Sequence, residues 1–218
     1  MFGKKQSEWM PTQKIWDHAI NIKERFMPRK GKVYLLSRRE REEVWKFIWE
    51  QLRKGYIQPS KSPQTAPVFF VGKKDGRKRM VQNYWYLNEW TVKNNYPLPL
   101  ISNIIKNMGT KRVFTKIDLR WGYNNVRIKE GDEWKVAFTT LEGLFEPMVM
   151  FFSLMNSPAI FQAMMNKLLR DLINTGKVVA FINDVIVGTE SKEGYNELVE
   201  GDNKKTRGKQ LVCKTRKV

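Results

Sequence analysis

Two apolar runs that each carry an aspartate give the clearest strand patterns along this chain. Residues 113–119 read VFTKIDL, and residues 178–187 read VVAFINDVIV. Such density of β-branched and aromatic residues predicts strands, and Asn183-Asp184 is favourable turn chemistry. An aspartate in an apolar strand is costly unless it is paired or binds a cation. The pattern therefore singles out Asp118 and Asp184.

Two interpretations of these aspartates are open from the pattern alone. In the first, both carboxylates bind divalent metal, as two-metal phosphoryl or nucleotidyl transfer requires. In the second, Asp118 ends a strand and Asp184 occupies a tight turn with no further role. Asn183 stands where a third carboxylate would be expected. Spacing does not choose between the two interpretations.

Helical periodicity marks three other segments. Ser37 and Glu40 have the spacing of a capping box, and apolar residues then follow at helical intervals until Gly55. A short helix is predicted over about 100–108. A long apolar helix is predicted over 157–173, because it opens on Ser-Pro and proline suits a first helical turn.

Further strands are predicted at residues 68–71, 134–139 and 145–152. Asp75-Gly76 predicts a hairpin turn inside the basic stretch 73–79. The basic side chains of that stretch could contact phosphates, but an ordinary charged hairpin is the interpretation that the pattern alone favours.

The net charge indicates a polyanionic partner. The chain has 40 Lys and Arg against 22 Asp and Glu, a formal charge of +18 and a pI near 10.0. That excess favours nucleic acid through counterion release, although a solvated basic surface is the alternative. An aromatic content of 12% is enough to build a hydrophobic core. The length of 218 residues predicts one large domain or two subdomains.

Cysteine and histidine usage excludes two kinds of site. Cys213 is the only cysteine and His18 the only histidine, which excludes an internal disulfide and a Cys/His zinc site. No apolar run reaches the roughly 20 residues of a membrane span, and the charged start is unlike a signal peptide. We therefore expect an intracellular protein, cytoplasmic or nuclear, with no membrane partner.

Three regions differ in composition. Residues 1–30 have no sustained period and predict an extended lead-in, whereas residues 31–200 carry all the strand and helix patterns. Residues 201–218 are polar, basic and aperiodic, and we expect a disordered tail there because they bury too little to offset the entropy of ordering.

Six blocks in a fixed order resemble the reverse transcriptase of gypsy-type long-terminal-repeat retrotransposons. They are SPQTAPVFFVGKKDGRKRMVQNYWYLN (62–88), YPLPLI (96–101), FTKIDLRWGYNNVRI (114–128), WKVAFTT (134–140), NSPAIFQAMMN (156–166) and FINDVIV (181–187). The resemblance implies an α+β right-hand polymerase with an antiparallel palm sheet, and we expect the thumb to be missing because residues 201–218 depart from the family. It places the fingers at about 31–95 and 126–152, and the palm at about 96–125 and 153–200.

The activity that the resemblance implies is RNA-directed DNA polymerisation with Mg²⁺ or Mn²⁺. Asp118 and Asp184 match metal-binding aspartates of the family, and the backbone carbonyl of Leu119 matches a further ligand. Asn183 occupies the position of another metal-binding aspartate, so the implied metal site is degenerate. The implied partners are an RNA or DNA primer-template and deoxynucleoside triphosphates.

The resemblance also implies nucleotide-binding residues. Lys73 and Arg79 match fingers residues that grip the triphosphate of the incoming nucleotide. Tyr123 matches the aromatic gate that excludes a ribose 2′-hydroxyl. Phe161 and Gln162 match a helix that contacts the template and the nucleotide pocket.

The departures from the family suggest a decaying copy. Asn83 and Trp85 replace a usual Asp and Arg, and Ser153 replaces a usual Gly; like Asn183, each change needs one C-to-T or G-to-A transition. Residues 205–218 match a family segment, KRLEENNLYVKPEKC, translated in another frame, which predicts a frameshift after Glu200. We therefore expect little or no polymerase activity, and the alternative is a non-catalytic nucleic-acid-binding remnant.

Overall fold

The structure is a computed structural model that describes residues 10–72, 76, 78–119, 122–191, 194 and 213–217. The side chains of residues 118 and 213–217 are not described. The chain divides into two compact units. We name the unit of Trp9–Lys93 and Val126–Ser157 the fingers unit, and the unit of Asn94–Asn125 and Pro158–Val218 the palm unit, after the regions that the resemblance predicts there.

The elements are numbered in chain order. The helices are α1 (Arg38–Arg53), α2 (Trp85–Trp90), α3 (Ile101–Met108), α4 (Ser157–Leu168) and α5 (Arg170–Asn174). The strands are β1 (Ile57–Pro59), β2 (Ala66–Gly72), β3 (Lys78–Gln82), β4 (Val113–Leu119), β5 (Phe138–Thr140), β6 (Gly143–Pro147), β7 (Val178–Phe181), β8 (Asp184–Thr189) and β9 (Cys213–Lys217).

The fingers unit is built on a sheet of order β1-β6-β5-β2-β3. The β2–β5 pair is parallel and the other pairs are antiparallel. Helix α1 begins at the predicted capping box, because the Ser37 N–H donates to Glu40 Oε2 at 2.9 Å and the Glu40 N–H donates to Ser37 Oγ. Val44 and Ile48 of α1 are buried, so the predicted helix is confirmed, but its apolar face is not buried to the end because Leu52 is exposed.

The lead-in is bound to the fingers unit by isolated bridges. His18 pairs with Ile128, Ile22 with Thr91, and Lys30 with Thr65. His18 is buried, with 1% of its surface exposed. Residues 18–30 of the lead-in are therefore held by backbone pairing, and His18 is an internal residue.

The palm unit is built on an antiparallel sheet of order β7-β8-β4-β9. Alternate residues are buried along β7, at Val178 and Ala180, and over the first four residues of β8, at Val185 and Val187. This period-two pattern is typical of strands that pack one face on a core.

Two strand predictions are wrong in extent. Residues 134–139 contain a 3₁₀ turn, Glu133–Val136, before β5 begins. The turn forms because the Lys135 N–H donates to the Asp132 carbonyl at 3.1 Å. The alternation of apolar and polar residues over 134–139 is compatible with a strand as well as with this turn. The strand predicted over 145–152 is β6, which ends at Pro147, a residue without a backbone N–H to extend the ladder.

The long helix predicted over 157–173 is interrupted. Helix α4 ends at Leu168 and α5 begins at Arg170, because Leu169 leaves the helical conformation with φ −103° and ψ 13°. The apolar periodicity continues across this break and gives no sign of it.

The predicted disorder of the tail does not hold for β9. Cys213–Lys217 pairs antiparallel with β4, and Leu119 lies opposite Cys213. Pairing at a sheet edge uses main-chain N–H and C=O groups, which every residue here supplies regardless of its side chain. Residues 201–212 and 218 lie outside the described residues.

Candidate active site

The two aspartates are brought together by strand register. Asp118 is the penultimate residue of β4, Asp184 is the first residue of β8, and the two are direct partners in the antiparallel ladder. Directly opposed positions lie on the same face of a sheet, with Cβ atoms about 5 Å apart. The sheet therefore places both predicted metal-binding positions side by side.

A two-residue turn lies beside the aspartates. Phe181 pairs with Asp184, so Ile182 and Asn183 form the turn between β7 and β8. Ile182 has φ 52°, a left-handed conformation that costs a non-glycine residue roughly 1–2 kcal/mol. The Leu119 N–H donates to the Asn183 carbonyl at 2.9 Å and ties the turn to the end of β4. A strained conformation is thus held against the strand that carries Asp118.

Gln162 supplies the hydrogen bonds that hold this turn. Its Oε1 accepts the Ile182 N–H at 2.7 Å, and its Nε2 donates to the Ala180 carbonyl at 2.9 Å. Its side chain is fully buried, as is that of Phe161. In this structure Gln162 therefore acts through the turn that it holds, and the template and nucleotide-pocket roles that the resemblance implies for Phe161 and Gln162 stay predictions.

Gly122 allows the turn to approach the neighbouring chain. A Cβ atom at this position would lie 2.5 Å from Asn183 Oδ1 and 3.0 Å from Phe161 Cζ. Next to it, the Tyr123 ring packs edge-on against Phe161 with centroids 5.2 Å apart. Burial raises the pKa of the Tyr123 hydroxyl, so it stays protonated at neutral pH. Tyr123, the predicted gate, therefore lies beside the turn in the palm unit.

Asp184 already has a cationic partner. Lys116 Nζ lies 2.8 Å from Asp184 Oδ2, and both side chains are partly exposed. Lys116 precedes Asp118 by two residues on β4, so the two positions share a face of the sheet. A metal ion that binds the Asp184 carboxylate would therefore compete with the Lys116 ammonium group for it.

The residues present fit a divalent cation in chemical kind. Asn183 Oδ1 is buried and accepts no hydrogen bond from any described residue, and a buried unpaired oxygen is stabilised by a cation. Mg²⁺ binds through one or two carboxylates and water in many sites, and Asp118 with Asp184 would provide them. Within the described part of the chain, no three His, Cys, Asp or Glu residues cluster, and the position between Ile182 and Asp184 carries the amide of Asn183.

The predicted triphosphate grip is described only in part. Arg79 is exposed on β3, and its guanidinium carbon lies 5.9 Å from the centroid of the Phe152 ring, within cation–π range. Lys73 lies outside the described residues. The roles that the resemblance implies for these two residues stay predictions.

Sequence reasoning missed Lys116 and Gly122. Lys116 could have been found, because residues two apart in a strand share a face and Asp118 was already a candidate. Gly122 gave no signal, since its role depends on contacts with Asn183 and Phe161 that are distant in sequence.

Comparison with known proteins identifies the family. The family model described as reverse transcriptase (RNA-dependent DNA polymerase) matches residues 71–218. The Transposon Tf2-3 and Tf2-7 polyproteins of Schizosaccharomyces pombe are each 34% identical over 165 residues, which covers 76% of this chain. The chain spans 12% of the length of those polyproteins. It belongs to the reverse transcriptase family.

Solved structures confirm the predicted fold class, α+β with fingers and palm. A prototype foamy virus protease-reverse transcriptase matches with a TM-score of 0.83 at 23% identity, over 96% of this chain and 28% of that one. A foamy viral protease-reverse transcriptase in complex with an RNA/DNA hybrid matches with a TM-score of 0.75 at 21% identity, over 93% of this chain and 28% of that one.

No helix in the described ranges is long and apolar enough to cross a membrane.

Proposed function

We propose that this chain is the fingers and palm of a gypsy-type retrotransposon polymerase that extends a primer on an RNA or DNA template. The observation that carries the proposal is the direct opposition of Asp118 and Asp184 beside a strained two-residue turn. Backbone strain of this kind is concentrated at functional sites. Family membership supplies the reaction class, and the site supplies residues suited to it.

The site residues have distinct roles in this proposal. Asp118 and Asp184 would hold a divalent cation, and Leu119 fixes the turn beside them. When bound, that cation polarises phosphoryl oxygens and lowers the pKa of an attacking hydroxyl. Tyr123 restricts the ribose in the nucleotide pocket, and Lys73 and Arg79 bind the triphosphate.

We further infer that this copy is catalytically impaired. Asn183 places a neutral amide where the family has an aspartate, and Mg²⁺ prefers charged oxygen ligands. Lys116 also neutralises the Asp184 carboxylate at 2.8 Å. The missing carboxylate weakens divalent-cation binding, as a decayed retrotransposon copy would show, and the Lys116–Asp184 ion pair competes with the cation for Asp184.

Primer extension tests the proposal. The unmodified chain should extend a primer only slightly above background with Mg²⁺ or Mn²⁺. Asn183→Asp alone should restore little, and more activity should return when the family's reading frame after Glu200 is also restored. Asn174→Asp is the matched control, because it adds the same charge at an exposed position of α5 in the palm unit. Robust extension by the unmodified chain would contradict impairment, and no extension by the doubly restored chain would contradict the polymerase function.

A non-catalytic nucleic-acid-binding role is the second candidate, favoured by the formal charge of +18. Such binding would be independent of sequence and would weaken steeply as salt rises, since it depends on counterion release. Filter binding of RNA and DNA across a salt titration, without divalent metal, measures it. Binding that is insensitive to salt would exclude this electrostatic account.

A further inference from the structure

We propose that Gln162 is a positioning residue that fixes the Ile182-Asn183 turn, and that Asn166 and Tyr96 hold Gln162 in place. The inference rests on the proposed function, because the turn matters for chemistry only if Asp184 beside it binds a cation. Its physical content, a buried amide that imposes a backbone conformation, can be measured without any activity.

The first argument is the placement of the two amide bonds. Ala180 and Ile182 lie on either side of Phe181, and Gln162 contacts the backbone of both, at 2.9 Å and 2.7 Å. One side chain thus spans the last residues of β7 and the first residue of the turn. Because Ile182 is β-branched and has φ 52°, its conformation requires tertiary contacts to persist.

The second argument concerns the orientation of the amide. A backbone N–H can only donate and a carbonyl can only accept, so Oε1 must face Ile182 and Nε2 must face Ala180. Nε2 also donates to Asn166 Oδ1 at 2.9 Å. The flipped amide would lose these bonds, so the Gln162 side chain has one favourable arrangement.

The third argument is that Gln162 is itself held by further hydrogen bonds. Asn166 lies one helical turn after Gln162 on α4, and its Nδ2 donates to Tyr96 Oη at 2.9 Å. Both Tyr96 and Asn166 line a cavity of about 600 Å³ within the palm unit. The chain of hydrogen bonds therefore runs from the wall of that cavity to the turn, and it keeps the Gln162 amide from rotating.

Amide hydrogen exchange in the full chain tests the positioning role. In Gln162→Met, which keeps the volume but removes the amide, the Ile182 N–H should exchange about tenfold faster, as expected for the loss of one hydrogen bond. The Leu119 N–H should also lose protection, because its acceptor is the Asn183 carbonyl of the same turn. The Val187 N–H, in the middle of β8, reports global opening and should change less than either.

Gln64→Met is the matched control. Gln64 is also buried and its Oε1 also accepts a backbone N–H, that of Arg29 at 2.6 Å, but it belongs to the fingers unit. This variant should leave the Ile182 and Leu119 amides unchanged. Equal acceleration by both variants would overturn the proposal, as would unchanged exchange in Gln162→Met.

Two further variants separate positioning from general packing. Gln162→Glu keeps an acceptor for the Ile182 N–H and should keep most of its protection. Ile182→Gly removes the steric penalty of a positive φ, so it should restore Leu119 protection in the Gln162→Met background. If Ile182→Gly does not restore the protection of the Leu119 N–H in the Gln162→Met chain, the positioning role of Gln162 is overturned. Should Gln162→Met fail to fold, Asn166→Ala gives the same test with an expected acceleration of about threefold, and an unchanged rate would contradict the proposal.

Calorimetric binding of Mn²⁺ alone links the turn to the site. Gln162→Met should weaken Mn²⁺ binding about tenfold relative to the unmodified chain, and Gln64→Met should not. If the unmodified chain binds no Mn²⁺, the proposed function fails while hydrogen exchange still decides the positioning role. Mn²⁺ binding that is equal in all three chains, with accelerated exchange, would show that the turn does not govern the site and would overturn its positioning role.

Discussion

Gln162 in the palm unit and His18 in the fingers unit are equally buried but differ in hydrogen bonding. Gln162 uses Oε1 and Nε2 in three hydrogen bonds, two of them to the backbone of the β7–β8 hairpin. Neither ring nitrogen of His18 has a partner among the described atoms. A buried polar group that is satisfied fixes a conformation, whereas one that is unsatisfied makes its surroundings sensitive to protonation.

His18 occupies its position because of its backbone. Its N–H donates to the Arg127 carbonyl at 2.7 Å, and its carbonyl accepts the Lys129 N–H at 3.0 Å. Burial lowers the pKa of the His18 imidazole to about 4, although the nearby negative charge of Asp132 acts in the opposite direction. Main-chain hydrogen bonds therefore fix the backbone at His18, and its uncharged ring is buried.

The largest expected effect is acid destabilisation through His18. Its pKa is about 4 in the folded chain and near 6.5 when unfolded, so the unfolded state binds the proton first as pH falls. Stability should therefore drop by roughly 3 kcal/mol between pH 7 and pH 4, and return as pH rises. Urea unfolding of the unmodified chain and of His18→Phe measures this, because carboxylate titration is common to both. Parallel pH profiles would contradict the prediction.

A second, smaller effect compares glycines in the two units. Gly122→Ala should destabilise the chain by about 2 kcal/mol, because the new Cβ would lie 2.5 Å from Asn183 Oδ1. Gly72→Ala is the control, since it lies at the end of β2 with nothing within 4 Å of the added atom. Urea unfolding at pH 7 measures both. Similar stabilities for the two variants would show that the palm turn can move away from Gly122.

The smallest effect concerns charge at the candidate metal site. Lys116→Met should strengthen Mn²⁺ binding about threefold, the modest size expected for a partly exposed ion pair. Lys111→Met is the control, because Lys111 Nζ pairs with Glu190 at 3.0 Å in the same unit but away from Asp184. Calorimetry with Mn²⁺ measures both. An equal change in the two variants would indicate a general charge effect and not competition for Asp184.

The palm strands and α1 could be predicted because local signals agreed with tertiary structure. Runs of β-branched residues predicted β4 and β8, and the Ser37–Glu40 spacing predicted the start of α1. The left-handed conformation of Ile182 could not be predicted, because isoleucine disfavours it and tertiary contacts, among them the hydrogen bond to Gln162, stabilise it. For Gln162 itself the available signal was its place among apolar residues of α4, which indicates a buried polar group that needs partners.

The β4–β9 pairing has a consequence for how such a gene can change. A shift of reading frame replaces every side chain of a segment but leaves the spacing of N–H and C=O groups as it was. Five residues of a basic sequence with no strand pattern, Cys213–Lys217, form a strand beside β4. A change of side chains at this edge is therefore compatible with strand pairing, whereas we expect one added methyl group at Gly122 to disturb the turn beside Asp184.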